Sequence, residues 1–342
     1  MTPIDRSTHE HPSGPGAQLA TILEERHRLP LPPSIDGRPT VALLGADVPR
    51  TLVAAAGATP VRLFPTLLST DLPSIDLLAA GVGAPLAIDH SSEANASLAQ
   101  SLAGAAGSLA NEGGPTVWFV DLLHGDGVAV VEHRRRTRTR LLARLAGLTG
   151  EAPSHEALAA ATSSERTRRA QLQALLAHRT STRPTVSGSL ALTALRASET
   201  ADGPATRALL ADAIAQAIAR SENGSSIEHE ARGFVVGPAP VDYRALERDG
   251  VHVVGEDHDE GALLVAAEHG VTDYRASGLR SLRRATPERR LSAIETAAVE
   301  RGSDTLVVAA DDDVTAWLLP ALRRMAVRHD WRLVGREVEV ER

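Results

Sequence analysis

The stretch TVALLGADVPRTLVAAAGATPVRLFP, residues 40–65, decides the class of the fold. VALLG is a short apolar run closed by glycine, and VPRTLVAAAG has the composition of a helix. Pro49 stands early enough in that helix that its missing amide hydrogen costs nothing; Gly57 is a stop, and TPVRLF is a second apolar run. Two strands joined by one helix run parallel, since an antiparallel return needs only a turn.

The same alternation continues outward. APLAID (84–89) and PTVWFVD (115–121) read as further strands, each followed by a polar loop. From about 127 to 180 the pattern changes to long helices, VVEHRRRTRTRLLARLAGLTG and then SHEALAAATSSERTRRAQLQALLAHR, the latter headed by Ser154 with Glu156 in its first turn. TRPTVSGS (182–189) is the best linker candidate, and ATRALLADAIAQAIAR is a further helix. A second sheet begins at RGFVVGPAP (232–240) and continues through VHVVGED, DTLVVAADDD and WRLVGREVEV, with helices between. Residues 1–16 are polar and rich in His, Pro, Ser and Gly, and GAQLATILEERHR after them reads as a short amphipathic helix. The expected division is a disordered tail over 1–16, an N-terminal α/β domain with a helical extension over 17–180, and a C-terminal α/β domain over 181–342.

Composition removes function classes. The 342 residues carry 36 Lys plus Arg against 43 Asp plus Glu, a net charge of −7, with 2% aromatics, so little is present to attract or stack nucleic acid. There is no cysteine, which excludes a thiolate nucleophile, a disulfide and a cysteine-held iron–sulfur cluster. There is also no lysine, so no Schiff base and no P-loop lysine. No stretch approaches the roughly 20 apolar residues of a membrane span, and the first residues contain nothing like a signal peptide. A cytoplasmic protein that binds neither membrane nor nucleic acid is expected.

The segment GADVPRTLVAAAGATPVRL resembles the signature of the 2-hydroxyacyl-CoA dehydratase and benzoyl-CoA reductase subunit family. The resemblance continues in order through PTVWFVDLLHGDG, LTGEAPSHEALAAATSSERTRRAQLQAL, GFVVGPAPVDYRALERDGVHVVGEDHDEG and the C-terminal ERGSDTLVVAADDDVTAWLLPALRRMAVRHDWRLVGREVEV. It implies two Rossmann-like, parallel-sheet domains flanking a cleft, with a helical middle segment. The cleft in that family holds an iron–sulfur cluster and an acyl-CoA, usually in a dimer of related subunits served by an ATP-dependent activator. Where the family places cluster cysteines, this chain has Ser91, His124 or Gly125, Asp259 and a residue within Asp311–Asp313. A thiolate-held cluster is therefore not expected to be bound by this chain, whereas a CoA thioester remains a possible substrate.

GEDHDEG (255–261) ends a buried-strand pattern in acids and a histidine, where an α/β protein keeps its chemistry. Asp257 and His258 there, with His124 in LLHGDG, are the candidate catalytic acid–base groups, and Ser91, Gly125 and Asp259 are expected to line the substrate cleft. The plainer reading of GEDHDEG is a solvated acidic loop capping the next helix, and of LLHGDG a glycine-rich turn. His90, His124 and His258 stand on separate loops without H-x-H or H-x-x-x-H spacing, so no metal centre is expected. The basic runs EHRRRTRTRLLAR and RASGLRSLRRATPERR read as exposed helix faces, with contact to CoA phosphates as the alternative.

Two functions, and a blander third, stay open at this point. One is a cluster-less subunit that completes an acyl-CoA cleft beside a cysteine-bearing paralogue. The other is a stand-alone, cluster-free acyl-CoA lyase or hydrolase, or a non-catalytic CoA-binding or scaffold protein.

Overall fold

The computed structural model describes residues 14–27, 31–45, 48–64, 84–89, 116–120, 128–237, 241–258, 260–266, 286–309 and 313–335. They build an α/β structure with two parallel sheets and a helical core beside them.

The first sheet contains β1 (Ser34–Ile35), β2 (Arg38–Leu44), β3 (Thr59–Leu63), β4 (Leu86–Asp89) and β5 (Val117–Val120). Its main order is β3-β2-β4-β5, all parallel, with Ala42 of β2 opposite Val61 on one side and Leu86 on the other. Buried on both faces, a parallel strand has to read as a continuous apolar run, and Val41 to Leu44 are all buried. β1 adds an antiparallel hairpin through Asp36 and Gly37, both in the left-handed region at φ 52° and 73°. That Asp-Gly pair is the preferred chemistry of a two-residue hairpin turn, although the Pro-rich lead-in around it hid the hairpin from the sequence reading.

The second sheet contains β6 (Ala231–Val236), β7 (Val251–Glu256), β8 (Thr305–Val308) and β9 (Arg332–Gly335), in the order β7-β6-β8-β9 and again all parallel. The two sheets share one logic. The first parallel strand of each lies second in order, its successor takes the near edge, and later strands build away on the other side. Such an order reverses direction at one place, beyond the carboxyl ends of β2 and β4 and of β6 and β8.

The helices are α1 (Pro15–His27), α2 (Arg50–Ala55), α3 (Val128–Thr149), α4 (His155–Thr180), α5 (Gly188–Thr200), α6 (Pro204–Glu222), α7 (Tyr243–Arg248), α8 (Leu263–Ala266), α9 (Pro287–Glu300) and α10 (Asp313–His329). Ser154 caps α4 as expected, accepting from the Ala157 amide at 3.0 Å. α2 and α3 cover one face of the first sheet through Leu52, Val53, Leu141 and Leu145, and α9 and α10 cover the second through Ile294, Leu318 and Leu322. α1, α4, α5 and α6 bury Leu19, Leu172, Leu195 and Leu210 against one another. Each such leucine contributes about 1.5–3 kcal/mol relative to exposure.

The segment expected to be a linker is instead packed. Thr185 and Val186 are buried, and the Ile227 amide donates to the Pro184 carbonyl at 2.7 Å. It leads into α5, which the sequence reading did not identify. α5 packs on β3 of the first sheet and β7 of the second, with Ala191, Leu195 and Ala197 fully buried. Among the described residues, no helix is long and apolar enough to cross a membrane.

Candidate functional site

Two buried polar clusters stand beside the sheets, and both are built on arginine. The first joins the first sheet to the helical core. Glu199, at the end of α5, accepts from Arg62 Nε of β3 at 2.8 Å and from Arg168 Nη2 of α4 at 2.7 Å. Arg168 also reaches Glu165 at 2.7 Å and the Ser198 hydroxyl at 3.0 Å, while Arg50 donates to the Ser198 carbonyl at 2.8 Å. The terminal nitrogens of Arg62 donate to the carbonyls of Gly45 and Val48. Burial pushes the Glu199 carboxyl up, but Arg168, Arg62 and Arg50 together hold it well below the ordinary carboxylate value. Burial likewise raises Glu165, and Arg168 overcomes it, leaving a pKa of about 2.

The second cluster is the segment that follows β7. Glu256 Oε2 accepts from Arg179 Nη1 of α4 at 2.7 Å, and its other oxygen accepts from the Ala262 amide at 2.6 Å. Asp257, 0% exposed, accepts from Arg290 Nε of α9 at 2.7 Å and from the Gly237 amide directly after β6 at 2.9 Å. Glu260 accepts from Arg196 Nη2 of α5 at 2.5 Å. His258, 1% exposed, lies with Nε2 2.7 Å from the Tyr243 hydroxyl of α7. Four residues within five positions are thus tied to four different helices. The segment is neither solvated nor a simple helix cap.

Electrostatics follow from that burial. Burial works against the Glu256 carboxylate, but Arg179 and the Ala262 amide outweigh it and lower its pKa. Burial lowers the His258 pKa against the pull of Glu256 and Glu260, so the ring is neutral near pH 7. Burial, with Glu256 nearby, raises the Tyr243 pKa well above 10. The phenol therefore keeps its proton, the hydroxyl and Nε2 share one hydrogen bond, and Nδ1 is buried without a partner among the described residues.

A family model described as 2-hydroxyglutaryl-CoA dehydratase, D-component, matches residues 46–311, from the loop after β2 to the loop after β8. The chain belongs to this dehydratase family. No curated protein matches it. A family resemblance read from ordered sequence segments is thereby established, and so is the departure from it. The donor set does not fit a thiolate-held iron–sulfur cluster, because none of the 342 residues is cysteine. Among the described residues, the acids at and after the end of β7, Glu256, Asp257 and Glu260, are each already paired with an arginine, and no group of three or more His, Asp or Glu is placed to hold a metal ion.

Of the candidate residues read from the sequence, Asp257 and His258 stand at the carboxyl end of β7 as expected, pointing to different partners. Ser91, His90, His124, Gly125, Asp126, Asp259, Asp311 and Asp312 lie outside the described residues, and Asp313 opens α10. The sequence reading missed the arginines. Their signal is positional: Arg290 continues the buried stripe Ile294–Ala298 on α9, and Arg168 and Arg179 bracket Leu172 and Leu175 on α4. Of the two basic runs, the first places Arg135 and Arg136 on Glu132 at the surface, as expected, but buries Arg134; Arg290 of the second is buried as well.

Proposed function

We propose that this chain is a cluster-less subunit of a 2-hydroxyacyl-CoA dehydratase-type complex. Its two parallel sheets serve as Rossmann-like halves on either side of an acyl-CoA cleft, and a cysteine-bearing paralogue completes the cleft and supplies the cluster. Removal of an unreactive 2-hydroxyl group needs an electron at low potential, and without cysteine this chain cannot hold a thiolate-bound cluster to deliver one. The supporting observation is the union of family membership over 46–311 with a cysteine-free sequence in which Glu256, Asp257 and Glu260 are each ion-paired with an arginine. The chain keeps the architecture and replaces ligand chemistry by structural charge pairing. The test is co-expression with a cysteine-bearing family member of similar length. A stable mixed complex, with dehydration of a 2-hydroxyacyl-CoA only when both chains are present, is expected.

One observation favours a second reading, cluster-free acyl-CoA chemistry by this chain alone. His258 is neutral and carries a phenol on Nε2, as a general base or its orienting pair requires. Acyl-CoA turnover by the isolated chain, abolished by His258→Gln or His124→Gln with the fold retained, is its signature. Its burial and the engagement of Asp257 by Arg290 weigh against it.

A further inference from the structure

Arg290 does more than neutralise Asp257. Its guanidinium carries five N–H groups, and the carboxylate uses Nε alone. Nη1 and Nη2 are both buried, in a side chain only 2% exposed, and have no hydrogen-bond partner among the described residues. Of the three other arginines buried as deeply, two are satisfied at both terminal nitrogens, and the third, Arg179, leaves only Nε without a partner among the described residues. Arg62 sends both terminal nitrogens to carbonyls, and Arg168 sends both to carboxylate or hydroxyl oxygens. A buried donor left unsatisfied is costly, and a side chain as adaptable as arginine does not normally leave two.

The position of this fork is equally specific. Asp257 directly follows β7, and its second oxygen is held by the amide of Gly237, directly after β6. Gly237 has φ 125°, and a Cβ there would collide with the Ala309 carbonyl just past β8. Arg290 thus stands beside the carboxyl ends of β7 and β6, with Ala309, past β8, against Gly237 on the far side. Open α/β sheets take their ligands in the crevice outside the carboxyl ends of their strands. Arg290 itself stands in the first turn of the 14-residue α9, whose dipole also favours negative charge there.

We propose that Arg290 Nη1 and Nη2 are the donor pair of an oxyanion-binding site at the carboxyl ends of β6 and β7, taking a phosphoryl or carboxylate group end-on. Asp257 positions the fork through Nε and leaves both terminal nitrogens free for two parallel hydrogen bonds, the arrangement by which arginine recognises planar or tetrahedral oxyanions. The Gly237 amide anchors Asp257 in turn. This site stands apart from the subunit reading, for it can exist whether or not a partner chain does.

The test uses the full chain, with sodium phosphate, sodium acetate and coenzyme A titrated separately by calorimetry at constant ionic strength set with chloride. Saturable binding of at least one of them is expected, weakened about tenfold or more in Arg290→Lys, which keeps the charge facing Asp257 but loses the fork. Binding of phosphate and coenzyme A without acetate assigns a phosphoryl source; binding of acetate assigns a carboxylate source. No saturable binding by the wild type, or equal binding by Arg290→Lys, overturns the proposal. Because the substitution also touches a buried ion pair, wild-type crystals soaked in selenate give an independent answer. Selenate on Nη1 and Nη2 supports the site, and water alone on those atoms overturns it.

Discussion

Replacing Asp257 by asparagine separates a structural carboxylate from a catalytic one. The substitution is nearly isosteric, and the amide oxygen still accepts from the Gly237 amide, now 2.9 Å from Oδ1. What it removes is the charge 2.7 Å from Arg290 Nε, in a pair whose side chains are 0% and 2% exposed. At an effective dielectric of about 20, unit charges about 4 Å apart attract by about 4 kcal/mol. Breaking a buried pair from one side costs about 3–5 kcal/mol by a separate route, because a desolvated guanidinium is left uncompensated. Urea unfolding followed by circular dichroism should therefore show Asp257→Asn destabilised by about 3–5 kcal/mol. The double variant Asp257→Asn, Arg290→Gln removes both charges and should recover more than half of that loss, since the penalty lies in the orphaned cation. A single variant within about 0.5 kcal/mol of wild type, the range of ordinary surface substitutions, would refute the reasoning. Such a variant, stable yet devoid of acyl-CoA turnover, would mark Asp257 as a working acid or base.

Further outcomes follow from the same contacts. His252 has a pKa lowered to about 4, chiefly by burial, and His258 is lowered too. Unfolded histidine titrates near about 6.5, so between about pH 6.5 and 4 the unfolded chain binds more protons, and stability should be highest above that window and fall through it. Urea unfolding across the window should show a slope that His252→Gln reduces by up to about one proton; stability unchanged down to the bottom of the window contradicts it. Gly237→Ala places a Cβ against the Ala309 carbonyl in a left-handed conformation and should cost at least about 1–3 kcal/mol in the same assay. Ser154→Ala removes the α4 cap and should cost about 1 kcal/mol, with no effect on oxyanion binding at Arg290.

The strands were legible because parallel pairing buries both faces, so VALL, TPVRL and TLVV stand out as short apolar runs bounded by glycine, proline or acid. Family membership was legible for a related reason: strand, helix and strand recur in a fixed order. α5 was not, because a helix buried on nearly every side has no polar stripe, and GSLALTALRASET continues the small-residue composition of the segment before it. The arginine clusters were hidden by distance along the chain. Arg62 and Glu199 are 137 residues apart, Arg179 and Glu256 are 77 apart, and only the folded chain brings them together. A charged residue inside an apolar strand, as in TPVRL, was the one local sign of the first cluster. For the acids after β7 the sequence offered a solvated loop or a reactive one, and burial beside three arginines is a third condition that no local pattern specifies.

The subunit assignment meets its most direct test in the mass and activity of the purified chain, alone and co-expressed with a cysteine-bearing member of the family. Light scattering after size exclusion, with an acyl-CoA dehydration assay on the same fractions, reads both at once. A one-to-one complex that turns over a 2-hydroxyacyl-CoA, beside an inert chain on its own, is the predicted result. A chain that forms no such complex and turns over an acyl-CoA by itself contradicts the account.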